Sequence, residues 1–203
     1  MHSDKRRKIA EEAARLIYNR IYNEYKQAKE AAARSLGVNT IPSNYEVAIE
    51  LDLLSDRIES TEKQKRLIKL REKALSLMKI LKDYSPKLTG SVWRGTARKN
   101  SDIDINIYAE DLKTIIKILQ DAGYELHVEE VIAVHKGRSI RATHIHIVSL
   151  DAEIIIRPLE EKLVVNRCEI YGDPKKGLSL EELEKTLKND PIRKFVPVRR
   201  QKR

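Results

Sequence analysis

Leu88-Thr89-Gly90-Ser91-Val92-Trp93-Arg94-Gly95-Thr96 is followed, ten residues after Ser91, by Ser101-Asp102-Ile103-Asp104-Ile105. The second stretch reads as a strand, because side chains alternate faces along an extended chain. Asp102 and Asp104 then project from one side, while Ile103, Ile105 and Ile107 face the other and can enter a core. One strand thus carries both chemistry and packing. Two ionised carboxylates a few Å apart repel by about 4 kcal/mol at an effective dielectric of about 20, a cost that a bound divalent cation reverses. Oxygen donors of this kind suit Mg2+ or Mn2+. Upstream, Gly90 has no Cβ and lets a phosphate approach the backbone, and Ser91 offers a hydroxyl and an amide at the start of a short helix. Arg94, Arg98 and Lys99 add positive charge between the two elements. A Gly-Ser turn or an Asp-x-Asp strand alone is common; the combination, with a helix-compatible segment and basic residues between them, is specific.

These residues resemble the signature of the polymerase-beta-type nucleotidyltransferase superfamily, over about 25 residues closely and from Ser85 to about Pro158 more loosely. The Arg94-Gly95-Thr96 element is most similar to archaeal CCA-adding enzymes, although the chain is shorter than those multidomain proteins and the resemblance extends to chemistry rather than to that substrate. The resemblance implies an α+β fold, a mixed β-sheet flanked by helices. It also implies a Gly90-Ser91 turn contacting the triphosphate of an NTP, Arg94 as a further phosphate clamp, and three carboxylates holding two Mg2+ or Mn2+ ions. Nucleoside monophosphate transfer to an acceptor hydroxyl would follow, with RNA, including tRNA, among the candidate acceptors. A protein or small-molecule acceptor, or an RNA-binding module without turnover, are the alternatives.

The third carboxylate should lie on a later strand beside Asp102 and Asp104. A helix-like run from Asp111 to Ala122 ends at Gly123, and two β-like stretches, Ala142 to Val148 and Ala152 to Ile156, read as a hairpin. On the second of these Glu153 alternates with Ile154 and Ile156 and precedes Arg157-Pro158, which makes it the candidate. Asp151, beside the turn, is the alternative. His144 and His146 share a strand face, but no cysteine or third histidine completes a convincing zinc set, so packing is the simpler role. Trp93 lies inside the signature and reads as a packing anchor before a base-stacking platform.

The remaining chain divides into an N-terminal helical region, 1–83, a core, 84–165, and a C-terminal α/β extension with a basic tail, 166–203. Ile9, Ala13, Leu16, Ile17, Ile21, Tyr25, Ala28 and Ala32 follow helical spacing and predict one amphipathic helix from about Lys5 to Leu36, stopped by Gly37. Tyr18, Tyr22 and Tyr25 could dock RNA from this helix, but burial against the next one is the safer reading. Ser43 with Glu46, and Thr61 with Gln64, form capping boxes for two further helices. The second of these carries Leu67, Leu70, Ala74, Leu77, Met78 and Leu81 as a packing face. After Pro158 come a β-like Leu163 to Ile170, a Gly172-Asp173-Pro174 turn and a helix from Ser179 to about Lys188.

Forty lysines and arginines against 31 acids give the 203 residues a net charge of +9, a balance that favours a polyanionic partner. Arg193, Lys194, Arg199, Arg200, Lys202 and Arg203 concentrate the excess. Cys168 is the only cysteine, which excludes an internal disulfide framework. No apolar run is long enough to span a bilayer and the charged start lacks a signal-peptide core, so a cytoplasmic location is expected.

Overall fold

The computed structural model describes residues 2–135 and 138–198, with side chains placed for 4–131 and 142–198. The chain forms two compact units, each built from more than one stretch of sequence. One comprises Met1–Lys63, Arg167–Pro174 and Pro197–Arg203, the other Gln64–Asn166 and Lys175–Val196.

In the first unit, α1 (His2–Tyr18) and α2 (Tyr25–Ser35) replace the single helix expected from the periodicity. The break is a C-terminal cap built on Arg20, which adopts φ 59°, with its amide bonded to the Ile17 carbonyl and the Ile21 amide bonded to that of Leu16. A non-glycine residue in this conformation carries no sequence flag, and the apolar spacing runs through the turn, which is why the two helices read as one. Their facing residues are small: Ala10, Ala13, Ala14, Ala28, Ala32 and Ala33 are buried with Ile9, Ile17, Val47 and Leu51, and Tyr18, Tyr22 and Tyr25 pack against this cluster. The tyrosines therefore have a packing role.

Next, α3 (Asn44–Ile80) opens with the expected capping box: the Glu46 amide donates to Ser43 Oγ, and the Ser43 amide to Glu46 Oε2. Arg6 holds the same carboxylate through two bonds of 2.6 and 2.8 Å, and pairing with Arg6 lowers the Glu46 pKa to about 2. The helix breaks at Ser60 (φ 44°, ψ −122°), immediately before Thr61, where a new start was expected. The buried Lys63 ammonium binds Asp52 and Asp56 at 2.6 and 2.8 Å, joining the turns on either side of the break.

The second unit is an α+β fold around a five-stranded mixed sheet of order β1-β2-β5-β4-β3. Its strands are β1 (Lys87–Thr89), β2 (Ile103–Tyr108), β3 (Leu126–His135), β4 (Arg138–Ile147) and β5 (Ala152–Arg157), with only β2 and β5 parallel. One sheet face, Ile103, Ile105, Ile107, Ile145, Ile147, Ile154 and Ile156, is buried beneath the Leu67 to Leu81 face of α3. Further cover comes from Ile115 and Leu119 of α5 (Leu112–Asp121) and Leu183 of α6 (Leu180–Asn189). Asp111 caps α5, and Ser179 with Glu182 closes the capping box of α6. The other sheet face, with Asp104, Glu153, His144 and His146, is half-buried.

Two strands escaped the sequence reading. Within β3, Glu129 and Glu130 interrupt the apolar alternation, as suits a strand at the sheet edge; β1 is only three residues long. Conversely, the β-like Leu163 to Ile170 is not a strand. It has only an isolated bridge, Arg167 to Pro174, and Leu163 is 90% exposed. High β-propensity describes a fit to a pleated, half-buried surface, and this segment lies on none. Among the described residues no helix is long and apolar enough to cross a membrane. Of the basic tail, Arg199, Arg200, Lys202 and Arg203 lie outside the described residues.

Candidate active site

The parallel register of β2 and β5 sets Asp104 directly beside Glu153, about 4.8 Å being the usual spacing of paired strands. On their outer sides Thr89 of β1 pairs with Asp104, and His146 of β4 with Glu153. A polar row thus crosses the sheet, because each of these residues occupies the half-buried phase of its strand. Asp102, just before β2, is exposed.

The geometry is least tolerant at Asp104. Its carboxyl is mostly buried, and burial, followed by the charges of Asp102 and Glu153, pushes its pKa up to about 7. Gly90 follows β1 at φ 65°, and a Cβ there would overlap Asp104 Oδ2. Glycine is needed at this position because the carboxylate fills the space a side chain would take, as well as for its backbone conformation. Ser91 follows in α4 (Gly90–Arg94).

Glu153 Oε1 accepts a 2.7 Å hydrogen bond from His144 Nδ1, which sets the tautomer of that ring. His146 Nε2 stands 3.6 Å from the same oxygen and 3.1 Å from Glu129 Oε1. The two histidines therefore orient carboxylates. Asn106, next along the Asp104 face, has a buried Oδ1 with no hydrogen-bond partner among the described residues. The donor set is all oxygen and carries mutual repulsion, which fits a hard divalent cation. Among the described residues, no three such side chains converge closely enough to hold an ion as they stand. Asp151, the alternative third acid, occupies the turn before β5 at φ 49° and is exposed.

Asp104 makes stability depend on pH. Its folded pKa lies above the value of about 3.9 for an unfolded aspartate, so the folded chain holds the proton more tightly. This contribution to stability is fully present below about pH 4, is lost as pH rises to about 7, and is constant above. The linkage amounts to at most about 4 kcal/mol. Melting in chelator should show a decline from pH 5 to 8 that is flattened in Asp104→Asn; equal slopes in both proteins would contradict the assignment.

Arg94 is not brought into this group. It is buried, its Nη1 donates to the Phe195 carbonyl at 2.8 Å, and its guanidinium lies 4.0 Å from the Trp93 ring centroid. The expected phosphate clamp is thus occupied in packing. Trp93, 6% exposed, is an anchor, as the simpler reading held. Beneath them Arg71 of α3, fully buried, donates to the carbonyls of Val92 and Trp93 at the end of α4 and to those of Pro191 and Arg193.

A cavity of about 610 Å³ opens beside Asp102, Asp151 and Glu153. Its other wall carries Arg66, Lys69 and Lys73 of α3 and, from the loop after α4, Lys99. The sequence reading missed the first three, although their i, i+3, i+7 spacing was available on the polar side of the helix whose leucine face it identified.

A mixed sheet that pairs two acidic strand positions beside a glycine-serine turn is the framework of a nucleotidyltransferase core. Residues 67–171 match the family model described as "Nucleotidyltransferase domain", more than half of the chain, and the protein belongs to that family. No match was found among curated proteins. Among solved structures, the chain is similar to a "structure of GLD-2/RNP-8 complex" at 20% identity and a TM-score of 0.28. That alignment covers 55% of this chain and 45% of the other, so it spans less than half of the solved chain.

Proposed function

We propose that the protein transfers a nucleoside monophosphate from an NTP to an acceptor hydroxyl. The acceptor oxygen bonds to the α-phosphorus, the α–β phosphoanhydride bond breaks, pyrophosphate departs, and the hydroxyl proton passes to solvent. The observation that carries this reading is the Asp104–Glu153 register beside Gly90. Asp102, Asp104 and Glu153 would hold Mg2+ or Mn2+, which when bound lowers the pKa of the attacking hydroxyl and neutralises charge on the departing pyrophosphate. Gly90 leaves the turn backbone open to the β- and γ-phosphates, and Ser91 offers its hydroxyl and amide to them. His144, on the β4 side of Glu153, fixes the orientation of that carboxylate through its Nδ1 hydrogen bond. These groups act mainly by positioning reactants and stabilising charge.

A reading without turnover, as an RNA-binding module, is favoured by one observation: Glu153 Oε1 is engaged by His144 and, among the described residues, no three ligands converge. Metal-dependent incorporation of labelled nucleotide into an RNA pool distinguishes the two. Incorporation that disappears in Asp102→Ala supports the enzyme, and RNA binding with no incorporation supports the module.

Gly90→Ala provides a structural test. The added methyl must displace Asp104 Oδ2, at a backbone angle that side chains disfavour. The expected result is at least a tenfold loss of Mn2+ affinity, by titration calorimetry, in a protein that still folds. Unchanged affinity would remove Asp104 from the metal site.

A further inference from the structure

The cavity beside Asp102 is lined by both cations and acids. Arg66, Lys69 and Lys73 stand at i, i+3 and i+7 on α3, so they share one helix face, spaced by about 5 Å along the axis at 1.5 Å per residue. Lys99 joins them, and Asp102, Asp151 and Glu153 line the strand-end side. Among the described residues, Lys69 and Lys73 make no salt bridge. A row of cations at this interval suits a string of phosphates better than a single one. Seven of the fourteen described residues that line it are charged, four of them cations, which suits an anionic ligand better than a neutral one.

The cavity also lies on the side the chemistry requires. In phosphoryl transfer the attacking and leaving oxygens are roughly in line through phosphorus. Gly90, assigned with Ser91 to the departing pyrophosphate, abuts Asp104, and neither of the two lines the cavity, whereas Asp102 and Glu153 do. The cavity therefore offers an acceptor access to Asp102 and Glu153 apart from the turn.

We infer that this cavity is the acceptor site for a single-stranded polynucleotide, whose terminal phosphodiesters lie along Arg66, Lys69, Lys73 and Lys99 and whose terminal hydroxyl reaches Asp102 and Glu153. The inference rests on the nucleotidyl-transfer reading for the identity of the reacting end. Recognition through phosphates by lysines makes it tolerant of base sequence.

The test is anisotropy of labelled single-stranded RNA and DNA oligonucleotides of the same sequence on the full chain, over a range of salt, with Lys69→Glu/Lys73→Glu as the variant. Binding is expected to weaken at least tenfold, and the slope of log K against log salt to fall by about 1.4, two contacts at about 0.7 each for a single strand. Lys113→Glu/Lys117→Glu on α5, outside the cavity lining, changes net charge equally and should leave binding within twofold. If charge reversal unfolds the protein, Lys69→Gln/Lys73→Gln carries the same test. The relative affinities identify the sugar. Equal loss from both lysine pairs, or competition by polyglutamate as strong as by unlabelled oligonucleotide, overturns the assignment. So does a wild type that binds neither polymer yet consumes NTP with another acceptor, although nucleotidyl transfer then stands. Cavity-dependent binding without metal-dependent NTP turnover has the opposite meaning: the surface stands and the transfer reading falls.

Discussion

Asp104→Asn is expected to reduce incorporation of labelled nucleoside monophosphate on the order of a thousandfold or more, while raising the melting temperature of the metal-free protein at pH 8. Both effects come from the same feature. The carboxyl sits in a mostly buried position, pushed up to about 7 by desolvation and by the charges of Asp102 and Glu153. Ionising it in the metal-free protein costs free energy that a neutral amide of the same shape avoids. Removing that charge also removes a cation ligand, and losing one preorganised charge-stabilising group alone lowers turnover about 10²–10³-fold. Asp102 is exposed, so Asp102→Ala should lose activity without the gain in stability. A change that stabilises while it inactivates cannot be attributed to misfolding. Mg2+ completes the argument: at a hundred times its dissociation constant it should stabilise the wild type by about 2.7 kcal/mol and leave Asp104→Asn unmoved. Activity within tenfold of wild type, or equal Mg2+ stabilisation of both proteins, would mean that the acidic row is not the metal site.

The pattern on β2 was legible because strand alternation is strict: a buried isoleucine at every second position leaves the intervening aspartates only one face to occupy. The α5 and α6 starts were legible for a similar reason, since Asp111 and Ser179 announce their caps in local sequence. The parallel pairing of β2 with β5 was not legible. It depends on a connection through α5, β3 and β4, and nothing within either strand states which partner it will choose. Glu153 could be nominated by its neighbours, but its place beside Asp104 is a property of register. Arg94 shows the converse case. A basic residue next to a phosphate-type turn suggests a clamp, yet the segment that occupies it, Phe195, is a hundred residues away in sequence. The cavity's cations were likewise invisible as a group, because α3 and the loop carrying Lys99 meet only in the folded unit.

The largest stability effect is expected from a residue that carries no chemistry. Arg71→Met should destabilise the sheet-containing unit by about 3–5 kcal/mol, because buried carbonyls lose their donor and each one left unpaired costs about 1–3 kcal/mol, part of it recovered by relaxation. The side chain is fully buried, and its guanidinium serves four carbonyls: Val92 and Trp93 at 3.2 and 3.0 Å, Pro191 and Arg193 at 2.7 and 2.8 Å. The first two are end-of-helix carbonyls that α4 cannot satisfy internally. The other two belong to the segment that passes over Gly95, where a Cβ would meet the Arg193 carbonyl. Burial lowers the Arg71 pKa only to about 10, so the fork remains charged at neutral pH. Methionine fills similar space but donates nothing, leaving four desolvated carbonyls to find other partners. Lysine should rescue little, because an ammonium cannot reproduce the planar spread of donors that reaches two separate chain segments. At about 2–4 °C per kcal/mol for a chain of this size, the melting temperature should fall by about 10 °C. Hydrogen exchange should locate the loss in α4 and in the amide of Phe195, which bonds the Arg94 carbonyl, before it reaches β2. A loss below about 1 kcal/mol, or exchange that rises uniformly across the unit, would show that Arg71 is not what fixes α4 and its Gly90-Ser91 turn against the acidic strand.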